Sequence, residues 1–227
     1  AARGLTPADA IAVTRRNPRL TPFWSVVTVV LTVLGVLATM NQVFFWNVGG
    51  VTIPTNSFLY LLIAVFVPIV FIVTPIRKHA PGAAARQRRG VPWYDVLLLL
   101  AVVGTSAYFA VHGIEIQEYG WQYMAPTLAT VLSFVFRALI LETLRRAAGL
   151  VVLVIAFLFS VYPLIAGIIP LSFLQGISYD LPTLAQVHTM GVDSVLGLPL
   201  QTAGTILVGF LLFGVVLQHT GGADFFH

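Results

Sequence analysis

Cysteine is absent from the 227 residues, and charge is scarce. The first absence excludes disulfides, iron–sulfur clusters and cysteine-ligated zinc. The second decides the class of protein. Charged side chains make up 9% of the chain and hydrophobic ones 58%, whereas a soluble domain carries about 25% charge. Twelve Lys/Arg and eight Asp/Glu cannot cover the surface of a soluble domain of this length, so the chain belongs in a bilayer. No nucleophile–base constellation, metal box or phosphate-binding glycine loop appears, and nothing points to an enzyme or a bound cofactor. The formal charge of +4 is not a nucleic-acid signal, because the basic residues border apolar runs instead of forming a patch interleaved with aromatics. There is no initiator Met and no cleavable signal pattern; the first apolar run, near Phe23, is too long for a signal-peptide core.

What is present is a series of apolar runs, each near the roughly 20 residues that cross a bilayer core. Six are expected: Phe23–Trp46, Asn56–Ile76, Trp93–Val111, Met124–Leu144, Leu150–Ile169 with Pro163 inside it, and Val195–Leu217. Trp24, Phe44, Phe45 and Trp46 suit the membrane–water interface. Ahead of them, Thr6-Pro7-Ala8-Asp9 reads as a helix start, and residues 1–20 read either as a short helix on the membrane surface or as a solvated tail. The fold expected is all-α and polytopic, with about six transmembrane helices.

Sidedness follows from the basic residues, since Lys/Arg in short loops stay on the cytoplasmic side. Arg77, Lys78, Arg86, Arg88 and Arg89 fall in one loop, a lipid-facing connector whose charges meet anionic headgroups. Arg3, Arg15, Arg16 and Arg19 precede the first span, and Arg145 and Arg146 follow the fourth. Loops at Asn47–Thr55, His112–Tyr123 and Pro170–Ser194 hold no Lys or Arg and four acids, Glu115, Glu118, Asp180 and Asp193. Both termini are therefore expected in the cytoplasm. Asp180-Leu181-Pro182-Thr183 suggests a short periplasmic or interfacial helix near Thr183–His188.

Arg137 alone breaks the pattern, thirteen residues past Met124 and so roughly 20 Å into the fourth helix. Such a charge is costly in a membrane; a buried ion pair with Asp95 is the first expectation, ahead of a lipid headgroup, and a substrate or ion contact is the functional alternative. Glu142, Arg145 and Arg146 form an interfacial charge cluster at the end of that helix. His112, His188 and His219 read as interfacial histidines without ligand spacing. Gly204, Gly209 and Gly214 suggest close backbone approach or local flexibility.

The order of several segments then carries a resemblance. Val91-Pro92-Trp93-Tyr94-Asp95 opens a helix after a basic loop, and Leu141-Glu142-Thr143-Leu144-Arg145-Arg146-Ala147-Ala148-Gly149 joins two helices. Gly197-Leu198-Pro199-Leu200, Leu211-Leu212-Phe213-Gly214 and Thr220-Gly221-Gly222-Ala223-Asp224-Phe225-Phe226 follow. From about Pro75 onward this resembles the N-terminal region of fused TRAP (tripartite ATP-independent periplasmic) transporter permeases of the type paired with TAXI binding proteins. Arg137 and Gln201-Thr202-Ala203-Gly204 depart from the family's pattern.

The resemblance implies an N-terminal segment (1–22), a four-helix scaffold domain (23–148) and the start of the large transport domain (149–227). It implies a bacterial inner (cytoplasmic) membrane location, organic-acid uptake with a periplasmic substrate-binding protein, and sodium or proton coupling. The family's ion and substrate sites lie further along than His227, so the resemblance implies no substrate-binding residue here and a chain incomplete for transport alone. The alternative is a truncated relative acting as a structural or accessory subunit of another bacterial membrane complex. On either reading the partners are lipid and other membrane helices.

Overall fold

The computed structural model describes residues 19–46, 53–76, 90–169, 173 and 175–220. The expected basic loop at Arg77, Lys78, Arg86, Arg88 and Arg89, and the expected helix after Thr6, lie outside the described residues. Within them every regular element is helical: α1 (Pro22–Phe44), α2 (Thr55–Val73), α3 (Trp93–Val111), the short α4 (Gly113–Glu118) and α5 (Trp121–Met124), α6 (Thr127–Ala147), α7 (Leu150–Val161) with a 3₁₀ turn at Tyr162–Leu164, α8 (Leu181–Met190), and α9 (Leu198–His219). Five of these, α1, α2, α3, α6 and α9, are long and apolar enough to cross a membrane. The protein is an all-α polytopic membrane protein.

The helix starts obey local chemistry. Thr21 caps α1 through its hydroxyl, with Pro22 at the first helical position. Proline precedes α2, α3 and α6 (Pro54, Pro92 and Pro126) in extended backbone, where a ring that cannot donate costs nothing. Gly149, at φ 96°, turns the chain from α6 into α7, a conformation that only glycine adopts without strain.

α2 is the central helix. In its apolar stretch 61% of the residues are buried, against 6% for α9. α2 packs chiefly on α3 and α1, and α3 in turn on α6. Tyr60, Phe109 and Phe136, one ring from each of α2, α3 and α6, meet with centroids 5.4–6.0 Å apart, a geometry that adds about 0.5–1.5 kcal/mol per pair beyond burial. Met190 and Leu196 belong to the same core, so that core runs across the expected boundary at 148/149.

The second half departs from the expected pattern in two places. The fifth apolar run forms a helix only over Leu150–Leu164, about 22 Å long against a hydrocarbon core of about 30 Å. Beyond it the backbone folds back: Gly176 N–H donates to Ala166 O (3.1 Å) and Tyr179 N–H to Pro163 O (3.1 Å). The short helix expected outside is longer, Leu181–Met190, and it enters the bundle. Thr189 donates to Ser133 O (3.2 Å), and Tyr60 donates its hydroxyl proton to Thr189 O (2.9 Å). Ser133 lies six residues inside α6, about 9 Å from its start. In the turn that follows, Gly191, Leu196 and Gly197 are buried and Val192 and Asp193 are exposed.

α9 carries a π-helical turn at Ala203–Leu207. There Gly204 meets α2: a Cβ at this position would lie 2.3 Å from Leu62 Cδ1. Gly209, by contrast, has nothing within 4 Å of such a Cβ, whereas at Gly191 it would fall 2.4 Å from the backbone oxygen of Val187. Gly191→Ala is therefore expected to lower stability by about 1–3 kcal/mol, the cost of overpacking. Gly209→Ala is expected to be neutral or to stabilise by up to about 1 kcal/mol through helix propensity. Thermal unfolding of both variants in the same detergent checks the contrast.

Candidate functional site

Two polar centres stand out against the apolar bundle. The first closes one end of it. Asp95 sits in the first turn of α3, where an acid suits the positive end of the helix dipole, and its side chain is wholly buried. Two arginines reach it. Arg19, just ahead of α1, forms an ion pair with Oδ2, and Arg146, in the last turn of α6, places Nη1 2.8 Å from Oδ1. The Arg146 guanidinium also lies 4.8 Å from the centre of the Phe71 ring, a cation–π contact in a desolvated setting.

The same arginines take up the carbonyl end of α2. Arg19 donates to Phe71 O (3.3 Å) and Thr74 O (2.5 Å), Arg146 to Thr74 O (3.4 Å), and Arg145 to Ile76 O (3.1 Å). These carbonyls belong to a helix end, where no intrahelical donors remain. Glu142 completes the centre: Arg145 grips it with Nε and Nη2, both at 2.7 Å, and Arg146 Nε lies 2.7 Å from Oε1. The expected cluster of Glu142, Arg145 and Arg146 thus comes together, with an i,i+3 contact added to the i,i+4 one. Chemically this centre is a clamp. It joins the segment before α1 to one end each of α2, α3 and α6, and its acid and Arg146 are out of reach of solvent.

The second centre lies halfway along α6. Arg137 is ten residues from each end of that helix. It does not pair with Asp95, as the sequence suggested; its Nη2 donates to the backbone oxygen (3.0 Å) and hydroxyl (2.5 Å) of Ser160 in α7. The reason is axial level. Asp95 stands beside Arg146, nine residues further along α6, and that separation is about 14 Å, too far for an arginine side chain that is already engaged. The level of each acid along the bundle, which a sequence does not display, selects the partner. Neither Arg19 nor Arg146 was expected to partner Asp95; the available signal was an acid in the first turn of an apolar helix, with basic residues at the ends of other spans to meet it at its own level.

Ser160 lies in the last turn of α7, where carbonyls lack intrahelical donors and a cation suits the dipole. His188 of α8 shares that carbonyl, with Nε2 2.9 Å from Ser160 O and Nδ1 2.7 Å from Ser194 Oγ. The backbone oxygen can only accept, so Nε2 carries the proton, and a neutral ring takes the Ser194 hydroxyl proton at Nδ1. His188 is therefore a tie between α7 and the inserted α8 segment, deeper than the interfacial place expected for it. His112 stacks on Tyr108 and Trp121, with ring centres 4.4 and 5.6 Å away, and His219 is exposed with Nδ1 2.9 Å from Val215 O. Among the described residues no three His, Asp or Glu side chains gather as a metal site.

Comparison with protein-family models, with curated proteins and with solved structures finds no match in any of the three. Fold and polar centres define the class, a multi-pass helical membrane protein with a buried ionic clamp at one end.

The clamp predicts unequal costs. Asp95→Ala leaves two buried guanidiniums without their acid and is expected to destabilise by about 3–5 kcal/mol, whereas Glu142→Gln, at a partly exposed acid, should cost about 1 kcal/mol or less. In double-mutant cycles read by unfolding in mixed micelles, Asp95 and Arg146 should couple, and Asp95 and Arg137 should show no coupling beyond about 0.5 kcal/mol.

Proposed function

We propose that the chain is the scaffold part of a secondary-active TRAP-type permease for organic acids, working with a periplasmic binding protein and unable to transport alone. The observation that carries this reading is the division of labour among the helices. α1, α2, α3 and α6 surround one aromatic core and are locked by the Arg19–Asp95–Arg146 clamp, as a static scaffold requires. α7 has no buried residue, and α9 almost none; a shortened helix, an inserted hairpin and a π-turn make that half suited to receive further helices. Its π-turn interrupts a membrane-spanning helix, and discontinuous helices are common in transporters. Supporting features are the order of the segments named above and the absence of Lys/Arg from the sequence segments 47–55, 112–123 and 170–194.

Both termini belong on the cytoplasmic side in this reading, in a bacterial inner membrane. The described basic residues Arg19, Arg145 and Arg146 gather at one end of the bundle, while Glu115 and Glu118 in α4 lie at the other. The cysteine-free sequence makes the test direct. A single cysteine replacing Glu118 should react with a membrane-impermeant maleimide in intact cells, and one replacing Ala84 should react only after the membrane is opened. The reverse pattern would overturn the topology.

For the activity, vesicles from native membranes with and without the protein are compared for uptake of radiolabelled mono- and dicarboxylates under an imposed sodium or proton gradient. Loss of gradient-driven uptake without the chain supports the permease reading. Undiminished uptake of every acid points instead to an accessory subunit of another membrane complex.

A further inference from the structure

The polar centre at Arg137 is electrically incomplete. Its guanidinium stands at the middle of a membrane-spanning helix, half-buried, and its described partners are the two oxygens of Ser160. The carbonyl end of α7 supplies about half a negative charge against a full positive one. No described carboxylate forms an ion pair with Arg137. Asp95 and Glu142 are held at the clamp, Glu115 and Glu118 lie in α4 beyond the far end of α3, and Asp180 and Asp193 flank α8, Asp193 being exposed and close to Tyr179, which packs on Tyr123 ahead of α6. A headgroup phosphate is also out of range: Arg137 is ten residues, about 15 Å, from either end of α6, and its tip is turned sideways into α7 instead of toward an interface. On one side of this contact the surface is apolar and uncovered, with Phe134, three residues before Arg137, 41% exposed and Phe157, three residues before Ser160, 48% exposed.

We infer that this face of α6 and α7 is a docking surface for a membrane-spanning helix that carries an aspartate or glutamate near its middle, the carboxylate completing the half-capped Arg137. Charge complementarity selects the occupant. An apolar helix alone would bury the surplus charge uncompensated, which is costly, and a second copy of this chain offers no described mid-helix acid. The short α7 gives the geometric opening. It ends about 8 Å short of a full span, so an apposed helix would also cover the exposed, non-helical Ile165 and Ile168, backbone that lipid does not tolerate uncovered. The inference stands on these contacts and holds for a permease and for an accessory subunit alike.

The test uses the full protein in its native membrane. Benzoylphenylalanine replaces Phe134 or Phe157, the membranes are irradiated, and the adducts are mapped by mass spectrometry. The expected adduct is a membrane-spanning peptide with Asp or Glu in its middle third. Arg137→Glu should lower its yield at least tenfold, Arg137→Lys should retain part of it, and exchanging the partner's acid for arginine in the Arg137→Glu background should restore it. The exchange also guards against simple misfolding, which it could not repair. Adducts confined to phospholipid, adducts to a second copy of this chain, a peptide without a carboxylate, or a yield unmoved by Arg137→Glu would each overturn the inference.

Discussion

The structure depends on one buried carboxylate held between two arginines. Asp95 is reached by Arg19 from before α1 and by Arg146 from the end of α6, and all three side chains are removed from solvent. In lipid the apolar faces of helices have little preference for one another over acyl chains, so burial alone does not select which helices neighbour which. A charge that must be neutralised does. The two ion pairs set α3 beside α6 and the segment before α1 beside both, and the arginine bonds to Phe71, Thr74 and Ile76 add the end of α2. The three-ring contact of Tyr60, Phe109 and Phe136 then becomes the packing that this arrangement permits. Such a clamp adds little net stability over well-packed apolar residues; its effect is to make other arrangements costly.

The legible part of the fold was the part governed by periodicity-free hydropathy and by punctuation. Pro92 and His112 bracket α3 where the apolar run ends, and Gly149 marks the start of α7. α6 runs Thr127–Ala147 instead of Met124–Leu144 because Pro126 starts it, and Arg145 and Arg146 extend its last turn to reach the clamp. The length of α7 was not legible. Leu164–Ile169 are as apolar as the helix before them, and hydropathy does not distinguish helix from coil once Pro163 has loosened the last turn. The insertion of α8 was hidden for the opposite reason. Gln186, His188 and Thr189 suit a polar helix at the membrane surface, yet each finds an oxygen on a neighbouring element, at Thr130, Ser160 and Ser133.

The site was half legible on the same grounds. Glu142, Arg145 and Arg146 are close in sequence, so their contact needed only helical geometry. Asp95–Arg146 and Arg19–Asp95 link residues 51 and 76 positions apart, and only the relative level of helix ends along the bundle chooses among the candidate partners. Arg137 was recognisable as anomalous from its place in an apolar run, but its partner was a carbonyl, and helix-end carbonyls carry no mark in a sequence.

The two centres differ in kind, and the difference follows from how each is neutralised. At the clamp, arginines and acids come from the same body, so its neighbours are specified internally. At Arg137 compensation comes from the end of a helix that is itself held by few contacts, through His188 and the inserted segment. α7 and α9 bury few residues against the four-helix body; among their contacts are Arg137 and His188 on Ser160 and Gly204 against Leu62. Where packing in lipid is not driven by water, a helix fastened at a few polar points can move with little loss of burial. The incompletely neutralised charge therefore lies where the body meets its loosely held half, where a further helix supplying a carboxylate would have the largest effect on how that half sits.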